Sequence, residues 1–199
     1  MIDYLFPLAA YLIGSISSAI HVSRLMGLQD PRQVGSGNPG ATNVLRYGGK
    51  KAAIFTLLGD ILKGVIPVAA ARVYGAKYGI DPILLAAVML LAFIGHLYPV
   101  FHGFRGGKGV ATAFGVLMAL NVWVGLALVA TWLVMAVVFR YSSVAAVAAA
   151  VSAPLYVGWL VGVGPFLYAT LVMALLLIWR HRSNVQKLLV GTEDKIGQA

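Results

Sequence analysis

The sequence contains no cysteine among its 199 residues, which excludes disulfides, thiolate metal sites, covalently attached haem and a cysteine nucleophile. Acid is nearly as scarce: Asp3, Asp30, Asp60, Asp81, Glu193 and Asp194 are the whole complement. Only Glu193 and Asp194 stand together, whereas a magnesium-dependent enzyme acting on lipid headgroups needs several convergent carboxylates. Charge of either sign is also low. Charged residues make up 11% of the chain, against about 25% in a soluble domain. With 60% hydrophobic residues and a mean hydropathy of +0.88, there is too little polar side chain to cover a water-facing surface. Soluble enzymes, nucleic-acid-binding domains and disordered tails are excluded as whole-chain descriptions, despite a net charge of +9.

What the chain has instead is long apolar runs. Unbroken rather than alternating, they read as helices, so the fold class is an all-α polytopic membrane bundle. Runs of roughly 20 residues occupy 5–26, 51–74 and 82–100. The stretch 110–139 is 30 residues long without a charge, and as one helix it would measure about 45 Å, beyond a hydrocarbon core of about 30 Å. A break near Asn121 divides it in two, and 142–161 and 164–179 complete a predicted set of seven spans. The start at Met1 lacks the basic segment of a secretory signal, so the first run is expected to stay as a span. Residues 1–199 read as one integral-membrane domain, because the polar stretches 27–51 and 180–199 are too short for cores of their own.

The charges orient the bundle. With a turn at Asn121, Arg24, Arg32, Arg46, Lys50, Lys51, Arg105, Lys108, Arg140, Arg180, Arg182, Lys187 and Lys195 fall on one side. Arg72 and Lys77 fall on the other. The positive-inside rule then puts the C-terminus in the cytoplasm and the N-terminus outside. It leaves a short fourth span, about 110–121, whose Gly-rich approach should dip below the interface. A helix N-terminus facing a wet cavity there suits an anion.

Three polar segments share the predicted cytoplasmic side. The first runs from Gly35 through Ser36, Gly37, Asn38, Pro39, Gly40, Ala41, Thr42 and Asn43 to Arg46. It satisfies G-x-G-x-x-G but follows a membrane helix instead of a buried strand, so a dinucleotide site is not expected. Glycine-exposed N–H groups, hydroxyls, amides and a guanidinium fork suit a phosphate or phosphoryl ester. The second segment contains His96, His102, Arg105, Gly106, Gly107, Lys108 and Gly109. It lacks the spacing of a Walker A loop, yet it sets glycines around an ammonium at a helix start. The structural reading is preferred for His96. The third holds Arg180, His181, Arg182, Asn184 and Lys187. His181 and Asn184, at i and i+3, would face the same way on a helical turn; Arg182 and Lys187 read as topology and lipid-headgroup charges. Within the second span Asp60 and Lys63 read first as a structural ion pair, and second as part of a ligand cavity. No histidine has an aspartate five positions on, since Met26, Phe101, Gly107 and Gln186 stand there, so a His-x4-Asp dyad is missing.

These segments resemble the three motifs of the PlsY family, bacterial acyl-phosphate:glycerol-3-phosphate acyltransferases. The first is similar to Gly-Ser-Gly-Asn-x-Gly-Ala-Thr-Asn-x-x-Arg throughout. The second is similar to the family's glycine- and lysine-containing phosphate loop, and the third to Arg-His-x-x-Asn followed by Gly-x-Glu, with Lys187 where arginine is common. The resemblance implies transfer of a fatty acyl group from acyl phosphate to the 1-hydroxyl of glycerol 3-phosphate, giving lysophosphatidic acid and phosphate in phospholipid synthesis. It implies no cofactor and no metal, membrane lipid as a partner, and no nucleic acid. The expected place is the bacterial inner membrane, multi-pass, with the site facing the cytoplasm. It assigns catalysis to Ser36, Arg46, Lys108, His181 and Asn184. Binding falls to Gly35, Gly37, Asn38, Gly40, Thr42, Asn43, Gly106, Gly107 and Gly109. Glu193 is taken as structural, beside His96, Asp60 and Lys63, whose structural reading comes from the residues themselves. Direct transfer onto the hydroxyl is expected, with His181 as general base the main rival and an acyl-enzyme on Ser36 a weaker one. An organophosphate carrier is the alternative of another class, but all three motifs share one side and no clear internal repeat is seen.

Overall fold

The computed structural model describes residues 5–197; the expectation placed on the start of the chain, including Met1 and Asp3, lies outside the described residues. The helices are α1 (Leu5–Gly14), α2 (Ser18–Leu25), α3 (Ala41–Tyr78), α4 (Pro82–Leu97), α5 (Val110–Leu120), α6 (Val122–Phe139), α7 (Ser142–Leu160), α8 (Pro165–Arg180) and α9 (Arg182–Leu189), with a 3₁₀ turn at Val100–His102. Ala41–Tyr78, Pro82–His102, Val122–Phe139 and Ser142–Leu160 are long and apolar enough to cross a membrane, and α1 with α2 makes a fifth if the bent pair is one span. The apolar helices α5 and α8 are shorter. Length and composition thus support four or five crossings, fewer than the seven read from the sequence.

Two expectations change. The run 5–26 is not one helix: α1 and α2 meet at a 44° bend. A carbonyl freed by the break must find a donor away from water, and Ile16 finds the Lys63 ammonium at 2.9 Å. Helix α3 starts at Ala41, not near 51, so half of the first motif is helical. Its axis kinks at Gly49, where φ is 78° and ψ is 177°.

The break at Asn121 falls where the sequence put it. The Asn121 carboxamide accepts from the N–H of Trp123 at 2.9 Å, capping α6, and α5 is left with 11 residues, about 17 Å of helix. Arg72 donates to the Ala119 carbonyl at the C-terminal end of α5, where a cation is favoured.

Helix α4 lies at the centre, with Val88, Met89, Ala92, Phe93 and Leu97 fully buried. Helix pairs close on it and on each other through glycines. A methyl group at Gly14 would strike the Ala92 carbonyl, and one at Gly95 the Tyr11 carbonyl. Gly64 and Gly115 bring α3 and α5 together in the same way, against the Thr112 and Ile61 carbonyls. Close backbone approach replaces the hydrophobic drive that lipid does not supply. Gly14 therefore serves packing within the chain.

Candidate active site

The first motif builds itself around Asn43. This side chain is 2% exposed. Its amide nitrogen donates to the Pro31 and Val34 carbonyls at 2.9 and 3.0 Å, and its oxygen accepts from the Ser36 N–H at 2.9 Å. Asn43 was expected to bind substrate; the geometry commits its amide to the loop, which it folds so that Ser36 is presented. Asn43 still lines the cavity, whereas Gly35 and Gly37 do not. They have positive φ, 58° and 69°, and turn the chain where other residues are strained. Ser36, Asn38, Gly40, Thr42 and Arg46 do line it.

In the second motif the backbone is pinned from α8. Arg180 donates to the Gly106 carbonyl at 2.7 Å and to the Gly107 carbonyl at 3.2 Å. The Gly107 N–H donates to the His96 carbonyl. Gly106 and Gly107, expected as phosphate ligands, are outside the cavity wall. Their missing side chains allow the loop to lie against α4, since a methyl group would strike the His96 carbonyl or ring. Lys108 and Gly109 face the cavity. Burial pushes the Lys108 ammonium down to about 8, with the positive Arg180, Lys187 and Arg46 acting the same way and Glu193 opposing. It donates to the Asn184 carboxamide oxygen.

The third motif sits at the junction of α8 and α9. His181 is 3% exposed, and its Nδ1 lies 2.8 Å from the Leu177 carbonyl. A carbonyl can only accept, so Nδ1 carries the proton and a neutral ring keeps its lone pair on Nε2. Burial pushes the ring down to about 4, leaving it neutral at pH 7. Asn184 passes a second hydrogen bond to Glu193 Oε1 at 2.7 Å, and Ser143 on α7 donates to the same oxygen at 2.7 Å. The next residue, Asp194, pairs with Arg46 at 2.6 Å.

A buried chain of polar groups lies deeper. Lys63 contacts Asp60 at 2.8 Å; the Asp60 carboxylate is 3.7 Å from His96 Nδ1, and Thr112 lies 3.1 Å from that same nitrogen. It ties α3, α4 and α5 together, and Asp60 and His96 also line the cavity.

One cavity of about 500 Å³ receives Ser36, Arg46, Lys108, His181 and Asn184. Residues that lie 148 positions apart meet there. Among the described residues no three His, Asp or Glu side chains cluster as metal ligands. The sequence reading passed over Arg180, Ser143 and Asp194. Arg180 stood in the third motif and could have been singled out; Ser143 and Asp194 carried no local signal.

A family model described as glycerol-3-phosphate acyltransferase matches residues 4–191. The glycerol-3-phosphate acyltransferase of Ralstonia nicotianae is 59% identical, covering 97% of this chain and 93% of the relative. That of Thiobacillus denitrificans is 58% identical, covering 100% and 99%. A crystal structure of PlsY, an integral membrane glycerol 3-phosphate acyltransferase, in its glycerol 3-phosphate form superposes with a TM-score of 0.92 at 41% identity, covering 99% of this chain and 96% of that one. The lysophosphatidic acid form gives 0.90 at 39% identity, covering 100% and 97%. Motifs, fold and relatives agree, and the chain belongs to the glycerol-3-phosphate acyltransferase family of PlsY.

Proposed function

We propose that this protein transfers a fatty acyl group from acyl phosphate to the 1-hydroxyl of glycerol 3-phosphate, releasing lysophosphatidic acid and phosphate. The observation that carries the reading is the single cavity in which three motifs place two strong cations, a hydroxyl, a neutral imidazole and a carboxamide. Two phosphorylated substrates repel one another, and Arg46 with Lys108 offsets that repulsion where water is scarce. Lys108 and the start of α5 hold one phosphoryl group; Ser36 and Arg46 hold the remaining polar groups; His181 and Asn184 fix the glycerol 3-phosphate. In this reading the bent α1–α2 pair and the shorter apolar helices α5 and α8 also cross, giving seven spans with the fourth short, the N-terminus outside and the site open to the cytoplasm, so the acyl tail stays in the bilayer. In a bacterium the membrane is the inner one.

Acyl phosphate is an activated anhydride, so positioning and charge stabilisation suffice. The glycerol oxygen attacks the acyl carbon, the bond from that carbon to the phosphate oxygen breaks, and the hydroxyl proton passes to a phosphate oxygen of the leaving group. A metal has no part in this step. The Nδ1–H tautomer of His181 favours a second route: its free Nε2 lone pair is an acceptor for that hydroxyl proton. Phosphate release from synthetic acyl phosphate in detergent, dependent on glycerol 3-phosphate, tests the reaction; no dependence on glycerol 3-phosphate rejects it. Loss of a titrating limb from the pH–rate profile of His181→Gln, with under about 1% of activity left, selects the base over direct transfer.

A further inference from the structure

The segment after α9 crosses the cavity mouth as a strap tied at two points. Glu193 is held by Asn184 and Ser143, and Ile196 by a backbone bond of 2.7 Å to the Arg140 carbonyl. Lys195 adds a contact over the Tyr141 ring at 5.7 Å. Between the two ties stands Asp194, whose side chain is 56% exposed and whose carboxylate bonds the Arg46 guanidinium. Asp194 has no second hydrogen-bond partner among the described residues. The two ties of the strap therefore do not depend on the Asp194 carboxylate.

We propose that Asp194 is an internal competitor for substrate phosphate: its carboxylate holds the Arg46 fork, and an arriving phosphoryl dianion must displace it. The inference rests on the reading of Arg46 as a phosphate ligand. A carboxylate brings one negative charge to the fork. A phosphoryl group brings up to two and reaches Lys108 or the Ser36 hydroxyl as well, so it wins the exchange. A neutral polyol or a lone monoanion gains too little to do so. Asp194 thereby filters the ligands of Arg46 by charge, and by returning to Arg46 it helps to expel the anionic product. An exposed ion pair is weak, which keeps the competition within reach of millimolar substrates.

The test is a double-mutant cycle of Asp194→Asn and Arg46→Gln in the full-length protein. It measures KM for each phosphorylated substrate and the inhibition constant of inorganic phosphate. Asp194→Asn is expected to lower one KM and the phosphate inhibition constant by about two- to fivefold, and to change neither when Arg46 is already Gln. Unchanged or raised values in Asp194→Asn, beside a raised KM in Arg46→Gln, overturn the competitor while leaving the Arg46 ligand role intact. If Arg46→Gln alters neither KM nor phosphate inhibition, the ligand role fails and the competitor falls with it. Arg46→Met takes the place of Arg46→Gln if that variant is recovered unfolded.

Discussion

Lys108 is the cation whose charge state is most open to test. Burial has pushed it down to about 8, so the ammonium form dominates below that pH and is lost above it. Because kcat/KM reports groups of the free enzyme, it should fall by about tenfold per pH unit once the solution passes about pH 9. The assay is release of phosphate from a synthetic acyl phosphate in detergent between pH 7 and 10, with the rate lacking glycerol 3-phosphate subtracted at each pH. Lys108→Arg keeps its charge throughout this range, so its alkaline limb should vanish even though a planar fork fits the site less well and lowers the overall rate. Lys108→Met, which removes the charge, should cost about 100- to 1000-fold in kcat/KM. A wild-type profile that stays flat to pH 10, or an alkaline limb that persists unmoved in Lys108→Arg, refutes the assignment.

Further outcomes follow from other positions. Asn43→Ala removes three hydrogen bonds from the Ser36 loop and should lower stability by about 1–3 kcal/mol, read as thermal unfolding in detergent; an unchanged Tm contradicts the loop role. Gly64→Ala drives a methyl group into the Thr112 carbonyl and should cost about 1–3 kcal/mol as α3 and α5 separate, measured the same way. His181 has a folded pKa of about 4, below the ordinary 6.5, so the unfolded chain binds the proton more readily. Stability is complete above pH 6.5 and lost as pH falls toward 4, by up to about 3 kcal/mol. His181→Gln should flatten that part of the Tm-versus-pH curve.

Several features were legible because they are local. Apolar runs of about the right length give helices in lipid whatever their neighbours, and the break at Asn121 followed from a run too long for one crossing. The three motifs were visible because glycine, hydroxyl and cation stand within a few residues of one another. The intramembrane pair Asp60 and Lys63 could be expected because a helix sets i and i+3 side by side. The bend between α1 and α2 was hidden: Ser15, Ile16 and Ser17 are compatible with helix, and the Ile16 carbonyl at the break is met by a lysine from α3.

The sequence by itself determined that this chain belongs in a membrane and that it carries three short motifs of glycines, polar side chains and cations. Composition and short-range spacing carry that information, because helix formation and motif chemistry act over a few residues. Tertiary structure alone decided which motif residues face the cavity and which brace it. Gly106 and Gly107 fell outside the cavity and Asn43, though in its wall, committed its amide to its own loop, while Ser143 and Asp194 came from distant segments to complete the wall. Those roles depend on which backbone carbonyl or carboxylate arrives opposite a side chain, and only packing of the helices brings them there.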